Sequence, residues 1–588
     1  MKINHKLLIA TGFLLLLITL SCKENFLEVK PYASIGESTL STKDGIGGLL
    51  VGAYSLLDGG GAPGGGQFAG PYMEGPDDAR VGTDAGVYEF DAFQIDASNS
   101  YIDGKWRFLY AAVNRCNDVL ILLPKIKNLT AAEALQIQAE AKFLRGIYYL
   151  TLVMNWKNVP WIDENIDYSK GNYFVPNTVD IYPKIETDFT FAAANLAETN
   201  SQVGRANKWA AKSFLAKAYM FQKKFAAAKV LLDDIIPNGV TSNKKKYALL
   251  PKYGDNFFQA TKHGSESVFT VQMSVNDGAN GPHGNVSDSY NGTFGGPVTC
   301  CFGWFQPTFD LVDAFQTDAV NGLPLLDTYQ LTPVKNDQGL ASSDPFTAYA
   351  GTLDSRLDWS VGRRGIPYLD WGVNPGKSWV RNQFNAGPYT AIKNAVWRAR
   401  VASDRQGGGG STNNPYALIR FADVLLWAAE CEVEVGSLDK AQVYVNIVRA
   451  RAANPDGFVK TYIDNANPLS GFTNTPAANY KVGLYTGQFA ANGKSYARKA
   501  VRFERRLELP MEHPRPWDMR RYNGNEFDMS AVVLTLYKSE MRPGFNPNSN
   551  YVKGLFVKGK NELLPIPQSQ IDLSNKDGVS VLVQNPGW

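Results

Sequence analysis

The densest chemistry in the sequence lies near its C-terminal end. Arg505, Arg506, Glu508, Glu512, Arg515 and Asp518 fall on one helical stretch and its exit, close enough to pair their charges. Carboxylates beside arginines can do acid–base work, and the same set can form an ion-pair network that locks a segment in place. Nothing nearby supplies a nucleophile. No Gly-x-Ser-x-Gly, His-Glu-x-x-His or P-loop pattern occurs. The chain has only four His, with no His-x-x-x-His or Cys-x-x-Cys spacing, which argues against zinc. Asp77, Asp78, Asp84 and Asp96 are hard oxygen ligands, but their spacing fits no EF-hand loop, so no metal or other cofactor is expected. A glycosidase would need two carboxylates across a cleft, and 56 acidic residues leave such a pair open.

The composition suits a folded globular body: 44% hydrophobic and 20% charged over 588 residues. A net charge of +3 and the absence of a long basic block give no reason to expect a nucleic-acid partner. Twelve Trp and 28 Tyr leave aromatic side chains beyond what a core needs. Residues 1–21 read as a signal peptide: Lys2, His5 and Lys6, then an apolar run from Leu7 to Leu20, too short to span a bilayer comfortably. Ser21-Cys22 follows, resembling a lipobox in which Cys22 is acylated, although Thr19 stands where Leu is usual. Residues 22–36 then form a lipid-anchored linker. Of the remaining cysteines, Cys116 and Cys431 sit in apolar helical patterns and read as buried thiols. Cys300 and Cys301 are adjacent, and the sequence selects no disulfide pairing.

The elements that must position any site are helical. Ile102 to Leu123 places Trp106, Leu109, Tyr110, Val113, Cys116 and Leu120 at three- and four-residue intervals and stops at Pro124. Thr130-Ala-Ala-Glu133 is a capping box for a helix reaching Trp156. A second group spans 179–236, with small residues near Ala211 and Ala218 suited to close packing. A third tetratricopeptide-like hairpin runs from Tyr416 to Ala453 around a Gly436 turn. About 180 residues separate the second from the third, so separate hairpins rather than a clean solenoid are expected. Between them, residues 274–303 and 354–397 mix Trp, Tyr and Phe with Gly, Asn, Ser and Pro in neither regular period, and Gly407–Gly410 looks like a flexible loop. The fold class expected is mainly α, a tetratricopeptide-like helical-hairpin scaffold carrying a large irregular, loop-rich lobe. Residues 37–270 form an N-terminal helical region, and 271–588 a C-terminal region with that lobe and the 416–453 hairpin.

Several segments together resemble the SusD-like (RagB/SusD) surface lipoproteins of Bacteroidetes. Tyr416-Ala-Leu-Ile-Arg-Phe-Ala-Asp-Val-Leu-Leu-Trp-Ala-Ala-Glu430 is close to that family's IRYADVLLMYAEA segment, and Asn446-Ile-Val-Arg-Ala-Arg451 is similar to its INxVRARA. Phe503-Glu-Arg-Arg-Leu-Glu-Leu509 with Trp517-Asp-Met-Arg-Arg521, Leu564-Pro-Ile-Pro567 and Asn585-Pro-Gly-Trp588 resemble its C-terminal signatures. Ala139 to Pro160 resembles another of its segments, with Lys157-Asn158 in place of the usual Gly. The resemblance implies that the charged 505–518 cluster is a scaffold motif, that the chain is not an enzyme, and that it binds ligand at the cell surface.

The function the resemblance implies is capture of oligosaccharide for a SusC-like TonB-dependent outer-membrane transporter, from an outer-membrane anchor at Cys22. Alternatives keep the architecture with a peptide or other nutrient as cargo, or make it a scaffold that binds nothing. For sugars, aromatic rings cover flat C–H faces while polar side chains bond hydroxyls. Candidate rings are Tyr72, Tyr101, Tyr290, Phe294, Trp304, Trp371 and Trp379; candidate polar partners are Asp77, Asp78, Arg80 and Asn99. In the resembling family, one part of the site precedes the Trp106 helix and another lies in the mid-chain loops. This favours Asp77, Asp78, Asn99, Tyr101 and Trp304.

Overall fold

The computed structural model describes residues 37–57, 78–80, 88–278, 284, 292–296, 303–393, 395–406, 411–512, 515–524, 526–540 and 556–588. Tyr72, Asp77, Tyr290, Cys22, Cys300 and Cys301 lie outside the described residues. Among the described residues, six helices of twelve residues or more come first: α1 (Lys43–Tyr54), α2 (Ser100–Leu122), α3 (Ala131–Trp156), α4 (Tyr182–Asn195), α5 (Lys208–Phe221) and α6 (Phe225–Asn238). Their boundaries follow local chemistry. Asn99 caps α2 by accepting from the Tyr101 amide at 3.0 Å. Thr130 and Glu133 complete the capping box of α3, satisfying amides that the helix itself cannot. Gly146 of α3 leaves room for the Phe189 ring of α4, because a Cβ there would meet ring carbons at 2.7 Å. Among these apolar contacts Arg145 of α3 is buried, held by Asp188 at 2.7 Å, by Asn117 at 2.9 Å and by Glu164.

The later helices include α8 (Phe421–Val435), α9 (Leu438–Ala452), α10 (Gln488–Glu508) and α11 (Arg515–Tyr522), after the short α7 (Phe309–Ala314) of the lobe. Here the structure departs from the expected separate hairpins. Helix α8 packs directly on α6, so α2 to α6 and α8 to α10 form one continuous stack with the lobe looped out between α6 and α8. Lys229 of α6 reaches Glu432 of α8 at 2.8 Å, and Met220 of α5 touches the Cys431 thiol at 3.4 Å. One hydrophobic core runs the length of the stack, from Ile46 to Val501. Cys116 and Cys431 are buried thiols within it, and burial pushes both well above the usual thiol range.

A second departure explains the first. Tyr416–Arg420, expected as the start of a helical hairpin, is a strand. It pairs antiparallel with Ser267–Val271, matching Val271 to Tyr416 and Ser267 to Arg420. The pairing brings both ends of the lobe to one place, so the stack resumes where it left off. Within the lobe strands are short, and every sheet among the described residues has two strands. We label Ala79–Arg80 β1, Ser267–Val271 β2, Gln306–Pro307 β3 and Tyr416–Arg420 β4. The lobe has its own core of Phe309, Leu311, Phe315, Leu353 and Leu357, joined by Leu507 from α10. No helix among the described residues is long and apolar enough to cross a membrane.

Candidate functional site

The charged cluster is built into the joint between lobe and stack. Glu508 of α10 accepts from Arg356 of the lobe at 2.9 Å and from Arg420 and Arg451. Glu504 pairs with Arg356 at 2.7 Å and with Arg449 at 2.8 Å. Glu266 bonds Arg420 and Arg451, each at 2.8 Å. Glu512 bonds Arg420 at 2.7 Å and the lobe residue Lys393 at 2.5 Å. Burial alone would push the Glu508 carboxyl up, but the guanidinium groups of Arg451, Arg420 and Arg356 reverse this and hold it well below the usual carboxylate range. Lys393 is pushed down to about 8 by burial, opposed by Glu512. Glu508, Glu504 and Glu266 are locked behind arginines and closed to solvent, with Glu512 half-buried at the edge, an arrangement suited to fixing geometry.

Above this joint the structure gathers several of the expected site segments. Strand β1 pairs with β3, matching Ala79 to Pro307 and Arg80 to Gln306. That ribbon brings Ala79, Trp304 and Phe305 into one apolar cluster with Tyr101, Phe90 and Met511 packed against it. Gly303 and Phe305 have φ of +56° and +58°, so the chain turns sharply on both sides of Trp304. For Phe305 this left-handed conformation is strained. A Cβ on Gly303 would lie 3.3 Å from the Cβ atoms of both Arg381 and Phe294, which sets those two residues beside the Trp304 turn. The Phe294 amide donates to the Trp379 carbonyl at 2.9 Å, and the Arg381 guanidinium lies 5.9 Å from the Phe294 ring centre. Phe294 is 38% exposed, Arg381 is exposed and Trp379 is half-buried.

The individual candidates fare differently. Asp78 is buried and bonds Arg506 at 2.8 Å, while Arg506 bonds Asp310 at 2.7 Å, so Asp78 faces the scaffold. Arg80 is buried as well. Asn99 serves as the α2 cap and donates to Glu89 at 2.8 Å. Trp304 is only 5% exposed, and Tyr101 is half-buried against it. Trp371 packs in a cluster with Tyr368 and Leu369 that Trp379 also joins, its indole donating to the Val396 carbonyl at 2.8 Å. The exposed chemistry is instead Phe294 and Arg381 beside the half-buried Trp379, with Phe384 48% exposed nearby in sequence. Sequence reasoning missed Arg381, although Trp379-Val-Arg381 stands in the aromatic-rich loop. It also missed a smaller cleft of about 170 Å³ walled by Trp359, Trp397, Phe458 and Phe472. Asp358 at that cleft is already held by Arg363 at 2.6 Å and by the Tyr480 hydroxyl at 2.6 Å. Among the described residues no cluster of His, Cys, Asp or Glu is arranged to hold a metal.

Family comparison decides what kind of scaffold this is. A family model described as the SusD family matches residues 265–588. The chain belongs to the SusD family. A second model, described as starch-binding and associating with the outer membrane, matches residues 25–220. A SusD-like protein of Formosa agariphila is 25% identical over 459 residues, covering 74% of this chain and 79% of that one. A solved SusD homologue of Bacteroides thetaiotaomicron superposes with a TM-score of 0.66 at 21% identity, covering 94% of this chain and 98% of its own. Surface glycan-binding protein A of the same organism, solved with laminarihexaose, gives a TM-score of 0.61 at 19% identity over 92% of this chain and 99% of its own. Likenesses of this degree place this SusD-family chain in the same fold.

Proposed function

We propose that this SusD-family chain is a cell-surface lipoprotein that captures oligosaccharide and delivers it to a TonB-dependent outer-membrane transporter. In this reading residues 1–21 are removed, Cys22 carries the lipid, residues 22–36 tether the body to the outer membrane, and regions 37–270 and 271–588 form the receptor. The supporting observation is the pair of exposed side chains Phe294 and Arg381, with half-buried Trp379 between them, beside the Tyr101–Trp304 cluster. Rings of this kind stack on the C–H faces of a pyranose, and a guanidinium offers a planar fork of donors to its hydroxyls. No step of this function needs a nucleophile or a metal, and none is assigned.

The test is binding of a soluble form beginning at Lys23 to a panel of polysaccharides, oligosaccharides and peptides, with product analysis alongside. The expected result is saturable binding to a glycan without cleavage, weakened by Phe294→Ala and by Arg381→Ala. Selective binding to peptides would change the cargo, binding to nothing would leave a scaffold, and released product would make the chain an enzyme. Trp304→Ala is a poor probe, because removing a buried Trp costs about 3–5 kcal/mol of stability.

A further inference from the structure

A cleft of about 370 Å³ lies on the helical stack, bounded by α2, the loop after Pro160 and the C-terminal segment around Leu573. One wall is the α2 face of Arg107, Ala111 and Asn114, spaced i, i+4 and i+7. Asn114 is exposed and lines the cleft. The facing wall is aromatic. Tyr168 and Tyr173 stack at 5.6 Å between ring centres with planes 29° apart, and Tyr173 meets Phe174 at 4.5 Å. Tyr168 is 59% exposed and Tyr173 41%, so the platform is open to solvent.

That platform is fixed by its own loop. The Asp167 carboxylate accepts from the Ser169 amide at 3.0 Å, and the Asp167 amide donates to the Asn172 side chain at 2.8 Å. Asn177 exchanges two hydrogen bonds of 2.9 Å with the Val583 backbone, tying the loop to the C-terminal segment. A preorganised aromatic wall facing a polar helix face, in a concavity of small-ligand size, matches a sugar better than a flat protein surface or a purely apolar ligand. We propose that this cleft is a second carbohydrate site, one that engages a distant stretch of the polysaccharide whose end is captured at the Phe294–Arg381 face. The proposal rests on the glycan-capture reading above. Two sites on one rigid body raise the affinity for a long chain by effective concentration, without any new contact.

Affinity electrophoresis through gels carrying laminarin, starch, xylan or mannan identifies a polysaccharide that retards the mature chain. Calorimetry then uses the hexasaccharide of that backbone. We expect two binding equivalents, reduced to one by Tyr168→Ala with Tyr173→Ala, and a loss of gel retardation of about tenfold. Asn114→Ala, on the opposite wall and clear of the aromatic packing, should weaken the same equivalent while the Tm is unchanged. One equivalent in the unsubstituted protein, or two in the tyrosine double variant, overturns the second site and leaves capture at the first standing. Retardation by none of the polysaccharides overturns both.

Discussion

The two charged or aromatic regions of this molecule are built on opposite terms. At the joint between lobe and stack, Glu508 is fully buried and three arginines converge on it from β4, α9 and the lobe. At the aromatic face, Phe294 and Arg381 stand in solvent at a loop, one backbone bond from Trp379. Burial makes the joint sensitive to the loss of any partner, since an uncompensated charge in a low-dielectric interior is costly. Exposure makes the face cheap to alter and available to a ligand. The difference separates what holds the SusD-family body together from what it presents.

The joint is where a single change should do most damage. Glu508→Ala leaves Arg356, Arg420 and Arg451 short of a partner and is expected to destabilise the fold by about 3–5 kcal/mol. Urea unfolding would register that as a drop in midpoint; a midpoint within error of the parent would refute the joint as the keystone of the lobe. Acid should act on the same set. Glu508, Glu512 and Asp518 are all held below their usual carboxylate range in the folded protein. The unfolded chain therefore takes up more protons than the native one between its own carboxylate values near about 4 and the lower folded values. Stability from these groups is fully present above that window and is lost as pH falls through it. A urea midpoint flat from neutral pH to about 5, then falling steeply, is the expected profile. Ligand binding at Phe294 and Trp379, which carry no titratable group, should persist until the fold itself gives way.

How much of this was legible follows the range of the interactions. Helices α2 and α3 announced themselves through local spacing and the Thr130–Glu133 capping box, all within a few residues. Tyr416–Arg420 did not, because a five-residue apolar run fits a strand as well as a buried helix, and its partner β2 lies far upstream. The continuity of the stack was hidden for the same reason. At the site, the residue types were legible and their exposure was not. Trp304 stands in Gly-rich sequence that suggests an open loop, yet two left-handed residues flank it and it is buried. Asp78 reads as a free polar group until Arg506, 428 positions away, is placed against it.

A milder test sharpens the comparison from the side of the face. Arg381→Ala is expected to weaken glycan binding by about 1.5–3 kcal/mol through lost charge-assisted hydrogen bonds. Phe294→Ala should cost about 0.5–1.5 kcal/mol through lost ring stacking. Neither should move the urea midpoint by more than about 0.5 kcal/mol of stability, as suits exposed side chains. Loss of stability with binding intact would reverse the assignment of the two regions.

A last effect, of about the size expected for Phe294→Ala, concerns neither region but the turn of chain that leaves α3. Lys157 is exposed and holds φ +63° and ψ −70°, with the Asn158 amide donating to the Trp156 carbonyl at 2.7 Å. This is a γ-turn of the hand that strains any residue with a Cβ, at the place where the SusD-like pattern carries Gly. The turn survives because its flanks are fixed: the Trp156 indole donates to the Pro565 carbonyl at 2.8 Å, and Asn585 donates to the Trp156 carbonyl at 2.9 Å. The C-terminal signature therefore forces a conformation that Lys157 adopts at a cost. Lys157→Gly relieves the strain but frees the unfolded chain, so a net gain of about 1 kcal/mol is expected, read as a rise in urea midpoint with glycan binding unchanged. A fall in stability would mean that the Lys side chain contributes more on the surface than the backbone strain costs.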